Sequence, residues 1–206
     1  MGVVMVMGKT SYRDKKLAGQ VSLALAAGVF GFAPVAHAMP TLDQVKHGDV
    51  KINSADPVSG ATLTTGASIT SGTKNNVVDW KDFSIAENES LSFDSNNYMN
   101  VVTGTATSAI SGAMSGGGDI YLINPNGVIF GKTAKADVGN LYVSTREATD
   151  TVINNFINND NGTPSVSSVL PSNSMGTLTS DVVSLIDEKG YVAATSVVLE
   201  GNNIRF

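Results

Sequence analysis

His47, Asp79, Asp82, Glu87 and Glu89 are the side chains whose types and spacing suit acid–base work. Paired carboxylates cleave glycosidic bonds when one protonates the leaving oxygen and the other activates water or attacks the sugar. The two Asp and two Glu offer such pairs, as in polysaccharide-cleaving enzymes built on β-helices. No cleft is defined around them, so solvated charges on alternate strand faces are the stronger reading. A Ser–His–Asp arrangement would rest on His47 alone, because the other histidine, His37, lies in a removable leader. His47 is read as a surface residue near the mature amino terminus. The chain has no cysteine, which excludes a Cys–His pair and any Cys/His metal cluster by count. No enzymatic activity, metal or cofactor is expected. Asn88-Glu89-Ser90 and Asn161-Gly162-Thr163 fit the glycosylation sequon, but two such triplets arise by chance in a chain this rich in Asn and Ser.

The beginning of the chain reads as an export leader. Lys9, Arg13, Lys15 and Lys16 form a basic region, Leu17 to Phe32 is apolar and small, and Ala36-His37-Ala38 is a small-x-small cleavage site before Met39. The alternative is a membrane anchor, but the apolar run falls short of the ~20 residues a span needs, and Pro34 follows it. A signal peptide over residues 1–38, handled by the Sec machinery, and a mature domain over 39–206 are therefore expected. The basic region is long, which leaves Met5 or Met7 as other starting points.

Removal of that leader takes away four basic residues and one acidic residue, leaving nine against 17 and a net charge of −8. Nucleic-acid affinity comes largely from Lys and Arg on phosphates, and no basic patch follows residue 38, so nucleic acid is not an expected partner. An exported chain without disulfides is also suited to being threaded unfolded through a second membrane.

The mature chain is rich in Gly, Ser, Thr, Asn and Val. Short apolar runs recur between turn residues: Val50–Ile52, Ala67–Ile69, Val77–Trp80, Leu91–Phe93, Ile120–Ile123, Val128–Phe130, Leu141–Val143 and Ser196–Leu199. Each predicts a strand, and the expected fold class is all-β. Helical spacing occurs at Val152, Ile153, Phe156 and Ile157, which places the one candidate helix within 145–158, with Thr145 as a candidate cap. Residues 159–180 read as an irregular excursion around Pro164 and Pro171, with strand-like runs resuming at 181–186 and 191–199.

Gly118-Asp119-Ile120-Tyr121-Leu122 aligns with Gly139-Asn140-Leu141-Tyr142-Val143 at an offset of 21 residues. A period near 20 suits a coil of a β-solenoid. Ile120 would then sit over Leu141 and Leu122 over Val143, with Tyr121 and Tyr142 on the other face. The rival is an antiparallel sandwich in which Asn124-Pro125-Asn126-Gly127 is a hairpin turn. That tetrapeptide separates two apolar runs. Pro125 suits the second position of a type I or II turn, and Asn126 and Gly127 tolerate left-handed geometry.

The same residues carry a family resemblance. Trp80-x-x-Phe83-x-Ile85 followed by Glu89-Ser90-Leu91-x-Phe93, then Ile123-Asn124-Pro125-Asn126-Gly127-Val128-Ile129-Phe130-Gly131, then Val138 to Thr145 resemble the blocks of the amino-terminal secretion domain of two-partner secretion exoproteins. This is also called the filamentous haemagglutinin-type haemagglutination activity domain. A second family motif, Asn-Pro-Asn-Leu, is absent, and the segment between Phe93 and Asp119 diverges. That points to the branch typified by large adhesins.

The resemblance implies a right-handed parallel β-helix (a β-solenoid) with extra-helical antiparallel strands. It implies recognition in the periplasm by the POTRA domains of an Omp85-type outer-membrane transporter, release at the surface of a Gram-negative-type bacterium, and a repeat passenger beyond residue 206. It offers Asn124, Pro125, Asn126 and Gly127 as a transporter-recognition motif, beside their role as a structural corner. Trp80, Phe83, Ile85, Phe93 and Phe130 are core plugs or partner anchors. A free-standing adhesin module contacting a host-surface glycan or protein receptor is the alternative function. Were Phe206 the natural end, the last coil would expose strand edges and the chain would self-associate.

Overall fold

The computed structural model describes residues 3–8, 39–158, 191–194 and 196–201. The chain begins with β1 (Val3–Gly8), β2 (Thr41–His47) and β3 (Val50–Ile52), and then winds into coils. The first coil holds β4 (Ala67–Ser71), β5 (Asn75–Asp82) and the bridging residue Ile85. The second holds β6 (Ser90–Phe93), β7 (Asn97–Val102) and β8 (Ser108–Ile110). In the third, β9 (Ala113–Ile123) supplies two faces and β10 (Val128–Phe130) the next. β11 (Lys135–Ser144) repeats that course, and helix α1 (Asp150–Ile157), β12 (Tyr191–Ala193) and β13 (Ser196–Gly201) follow.

Every contact between coils is parallel. β4, β6, the first half of β9, the first half of β11 and β12 stack on one face. β5, β7, the second half of β9, the second half of β11 and β13 stack on the next. Ile85, β8 and β10 line the third. The molecule is a parallel β-solenoid of about four turns, and the sandwich alternative fails because β9 and β10 do not pair. Antiparallel strands lie outside the coil: β2 on β5, β3 on β4 and β1 on β13.

Register turns the sequence repeat into columns. Leu141 lies beside Ile120, Val143 beside Leu122 and Tyr142 beside Tyr121, as the 21-residue offset predicts. The inward columns Tyr98–Ile120–Leu141 and Val78–Asn100–Leu122–Val143–Leu199 fill the solenoid with side chains that are almost wholly buried. Ala67, Leu91, Met114 and Ala136 do the same from the first face, and Ile85, Ile110 and Phe130 from the third.

The outward column Val77–Met99–Tyr121–Tyr142–Val198 is also apolar. Helix α1 covers it with Val152, Ile153 and Phe156. Tyr121 and Tyr142 stack at 4.3 Å, and the Phe156 ring meets Tyr121 edge-on at 5.1 Å. Burying a side chain such as Phe156 contributes about 1.5–3 kcal/mol, which compensates the weak intrinsic stability of a two-turn helix. The helix cap is Thr149, whose hydroxyl accepts from the Val152 N–H, and not Thr145. Thr145 is buried, and its N–H donates to the Glu200 carbonyl. The excursion read at 159–180 and the strand-like run at 181–186 lie outside the described residues.

A polar ladder opens the second face. Asn97 donates to Asn75 Oδ1 at 2.8 Å, the Asp119 N–H donates to Asn97 Oδ1 at 3.1 Å, and Asn140 donates to Asp119. Asn75 also donates to the Phe156 carbonyl at 3.1 Å, so the ladder ties the coils to the end of α1.

Candidate functional site

Asn124 to Gly127 turn the corner between the second and third faces. The Gly127 N–H donates to the Asn124 carbonyl at 3.0 Å, closing a four-residue turn. Gly127 alone takes a left-handed backbone, with φ of 109°. Asn126 does not have positive φ, which excludes the type II alternative. Asn124 is fully buried. Its Nδ2 donates to the Ala106 carbonyl at 2.9 Å and to Ser108 Oγ at 3.0 Å, and its Oδ1 accepts from the Asn126 N–H at 2.9 Å. These bonds satisfy every polar atom of a buried amide and dock the corner on the coil before it.

Asn126 sits differently. It is exposed, and its Nδ2 reaches the Gly104 carbonyl at 2.8 Å and Asn124 Oδ1 at 3.0 Å. Thr107 Oγ1 donates back to the Asn126 carbonyl at 2.9 Å. The neighbouring corner must pass close by: a Cβ on Gly104 would lie 2.0 Å from the Lys81 carbonyl oxygen. The tetrapeptide thus presents one exposed amide and a proline on a corner whose buried asparagine fixes its shape.

Trp80, Phe83, Ile85, Phe93 and Phe130 all lie in the central core, each at most 6% exposed. Trp80 meets Phe83 edge-on at 5.4 Å, and Phe93 lies 5.0 Å from Tyr98. A partner would reach none of them on the folded domain, although all are available on an unfolded chain. Met39 is buried in the same core, while Ala36 and Ala38 lie outside the described residues.

The candidate acids are not gathered into one site. Asp79 is buried on β5, where Gln44 of β2 donates to its Oδ2 at 2.8 Å. Burial pushes its carboxyl above the usual range, partly offset by that bond. Asp82 ends β5. Glu87 and Glu89 line a separate open groove of about 450 Å³ with Asn88, Thr133 and Lys135, at the turn into β6. Glu89 Oε2 accepts from the Ala86 N–H at 3.0 Å, a turn-capping role. Asn88 holds that turn with φ of 69°. His47 is half-buried at the end of β2, opposite Val77. Among the described residues no group of three or more His, Cys, Asp or Glu is placed to hold a metal ion. Asn161 lies outside the described residues.

Sequence reasoning passed over the buried polar residues that hold the coils together. Asn100 lies inside the solenoid, accepting from Trp80 Nε1 at 3.0 Å and donating to the Tyr121 carbonyl at 3.1 Å. Arg146 and Glu200 form a buried ion pair at 3.4 Å between the end of β11 and β13. The signal for Asn100 was its spacing: it precedes Leu122 by 22 residues and so shares its column.

Stacked parallel coils, an added antiparallel strand on two of the three faces of the first coil and a helix over one flank define the class of parallel β-solenoid domains. The model of the TPS secretion domain family matches residues 44–206. The chain belongs to this family, which is a family of secretion domains and not of enzymes. It is 38% identical over 74 residues to a heme/hemopexin-binding protein of Haemophilus influenzae, covering 34% of this chain and 8% of that protein. It is 34% identical over 84 residues to a second such protein of the species, covering 38% and 9%. The chain thus spans less than a tenth of the length of the curated relatives it matches. The crystal structure of the HMW1 secretion domain from Haemophilus influenzae is similar at 25% identity and a TM-score of 0.47, over 56% of this chain and 30% of that one.

Proposed function

We propose that residues 39–206 are the part of a two-partner secretion exoprotein that its transporter recognises, and that residues 1–38 are a leader removed at the inner membrane. The transporter is an outer-membrane barrel of the Omp85 type whose periplasmic POTRA domains receive the chain before it folds. Strand-forming segments such as Ile120–Ile123 and Val128–Phe130 suit addition to a sheet edge of such a domain. Exposed Asn126 and half-buried Pro125 offer the accessible part of the recognition motif.

The observation that carries this reading is the unbroken parallel stack, joined to the family match. Each coil finds its partner in the coil preceding it, so folding propagates from β4 and β5 onward as chain emerges. The antiparallel β2 and β3 close the starting coil, which gives the stack a defined first template. Folding outside the membrane then draws the chain out, and the domain nucleates the β-helix at the cell surface. What the Haemophilus relatives bind belongs to proteins of which this region is a small share, and the shared part is taken to be the export signal.

Co-expression with a cognate transporter tests this. The medium is assayed for mature chain beginning at Met39. Transporter-dependent release is expected. Retention in the periplasm beside a matched transporter overturns the reading and moves a free-standing binding module ahead of it.

A further inference from the structure

Asn126-Gly127 is one of two Asn-Gly pairs in the sequence, the other being Asn161-Gly162. In such a pair the glycine nitrogen readily reaches the amide carbon of the asparagine, because glycine has no Cβ to hinder the approach and turns freely about its backbone. Asn126 is exposed to water on a tight turn, so exposure alone marks it as reactive.

The folded corner withholds the geometry that the reaction needs. The Gly127 nitrogen must give up its proton and swing onto Cγ of Asn126. Its N–H is committed to the Asn124 carbonyl at 3.0 Å. The same peptide plane is pinned at its other end, where Thr107 Oγ1 donates to the Asn126 carbonyl at 2.9 Å. The Ser108 N–H holds the Gly127 carbonyl at 3.0 Å. The side-chain amide is itself tied, with Nδ2 on the Gly104 carbonyl at 2.8 Å and on Asn124 Oδ1 at 3.0 Å. Unfolding releases all of these bonds at once.

We propose that Asn126 is a site of spontaneous covalent modification that the folded corner suppresses: the unfolded chain loses the amide there, and the converted chain no longer closes the turn into β10. The Gly127 nitrogen forms a bond to Asn126 Cγ, the Cγ–Nδ2 bond breaks, and ammonia leaves with the Gly127 proton. Water then opens the cyclic imide. Opening at Cγ leaves an aspartate; opening at the main-chain carbonyl leaves an isoaspartate, with one more carbon in the main chain. Neither product fits the corner. A carboxylate would face the Gly104 carbonyl and Asn124 Oδ1, both acceptors, with no proton to offer them. The extra main-chain carbon of the isoaspartate would also break the turn closed by Asn124 and Gly127. No step involves a transporter, so the chemistry stands or falls separately from the export reading.

The test follows conversion in the 1–206 chain, in mildly alkaline buffer with and without denaturing urea. Peptide mass spectrometry counts each replacement of NH2 by OH, and an isoaspartyl methyltransferase distinguishes the two products. In urea, Asn126 and Asn161 are expected to convert at rates within about threefold of each other. Without urea, conversion of Asn126 is expected to slow at least about tenfold, since it must wait for the corner to open. Thr107→Val frees the Asn126 carbonyl, and is expected to speed conversion in the folded chain about threefold or more while leaving the urea rate unchanged. Chains aged in urea are then refolded and separated by size, and the compact pool is expected to be depleted in converted Asn126 at least about threefold relative to the total. An Asn126 that stays intact in urea while Asn161 converts overturns the site. Equal rates with and without urea, or a folded rate unmoved by Thr107→Val, overturn protection by the corner. Equal conversion in the compact and total pools overturns the loss of the turn.

Discussion

The indole N–H of Trp80 donates to Oδ1 of Asn100 across 3.0 Å, and both side chains are fully buried inside the solenoid. Asn100 occupies an inward column otherwise made of Val78, Leu122, Val143 and Leu199. Its amide also donates to the Tyr121 carbonyl on the next coil. One polar residue thus joins three successive elements: the first coil through Trp80, its own coil, and β9. A buried indole N–H without a partner costs free energy, so the large aromatic and the asparagine one coil later are a matched pair.

Asn100→Leu fits the column in size but leaves the Trp80 N–H unpaired, and is expected to destabilise the domain by about 1–3 kcal/mol. Trp80→Phe removes the donor and strands Asn100 instead. Urea unfolding of both single variants and the double variant measures the coupling. The double variant is expected to lose less than the sum of the singles by at least about 0.5 kcal/mol. Strict additivity would mean that the bond contributes nothing.

Glycines set the spacing between coils, and their substitution separates crowding from backbone strain. A Cβ on Gly118 would lie 1.9 Å from the Asn96 carbonyl oxygen, a backbone atom that cannot step aside. Gly66 has φ of 79° and open space around it. Gly118→Ala is expected to cost about 2–3 kcal/mol through overpacking, against about 1 kcal/mol for Gly66→Ala through its left-handed backbone. Thermal melts of the two variants rank them, and the reverse order would show that the coils can spread to admit a methyl group.

The fold was legible wherever apolar alternation was strong. Ile120, Tyr121 and Leu122 and their counterparts at 141–143 give both the coil period and the direction of each side chain. β7 was missed because Asn97 and Asn100 weaken its strand pattern; both are satisfied by neighbours 20 to 22 residues away, which local propensity does not register. The first half of β9 was missed for a related reason: Gly116, Gly117 and Gly118 look like a loop, but they are small because Phe93, Asp94, Ser95 and Asn96 press against them. The corner at Asn124 was readable as a turn. Whether it led to a hairpin or a new face depended on long-range pairing, here β10 on β8.

Two buried carboxyls shape the pH dependence. Burial raises Asp79 above its ordinary 3.8, against the Gln44 bond, and raises Glu200 above its ordinary 4.5, against the attraction of Arg146. Such groups bind protons more tightly in the folded state, so their cost is absent below the unfolded values and grows as pH rises through the raised native ones. The exposed Asp56, held low by its hydrogen bond to Lys51, acts in the opposite sense, so the difference between variant and parent is the readout. Asp79→Asn keeps an acceptor for Gln44 and removes the charge. Relative to the parent, it is expected to gain stability as pH rises from about 4 towards 7. Urea midpoints across that range measure it, and a difference that does not change with pH would leave the slope to other groups.

The Asn-Pro-Asn-Gly corner separates shape from recognition because its two asparagines are so differently placed. Asn124 is buried and spends its amide on Ala106, Ser108 and Asn126; Asn124→Ala is expected to cost about 2–3 kcal/mol and to lower refolding and secretion together. Asn126 is exposed and loses the bond to Gly104 and a second to Asn124 when replaced; Asn126→Ile is expected to cost about 1 kcal/mol. Measured against urea stability, transporter-dependent release of Asn126→Ile is expected to fall far more than that cost explains if, as proposed above, the transporter reads this side chain on the unfolded chain. Release that merely tracks stability in both variants would leave the tetrapeptide as a corner and move recognition to other parts of the strand-forming sequence.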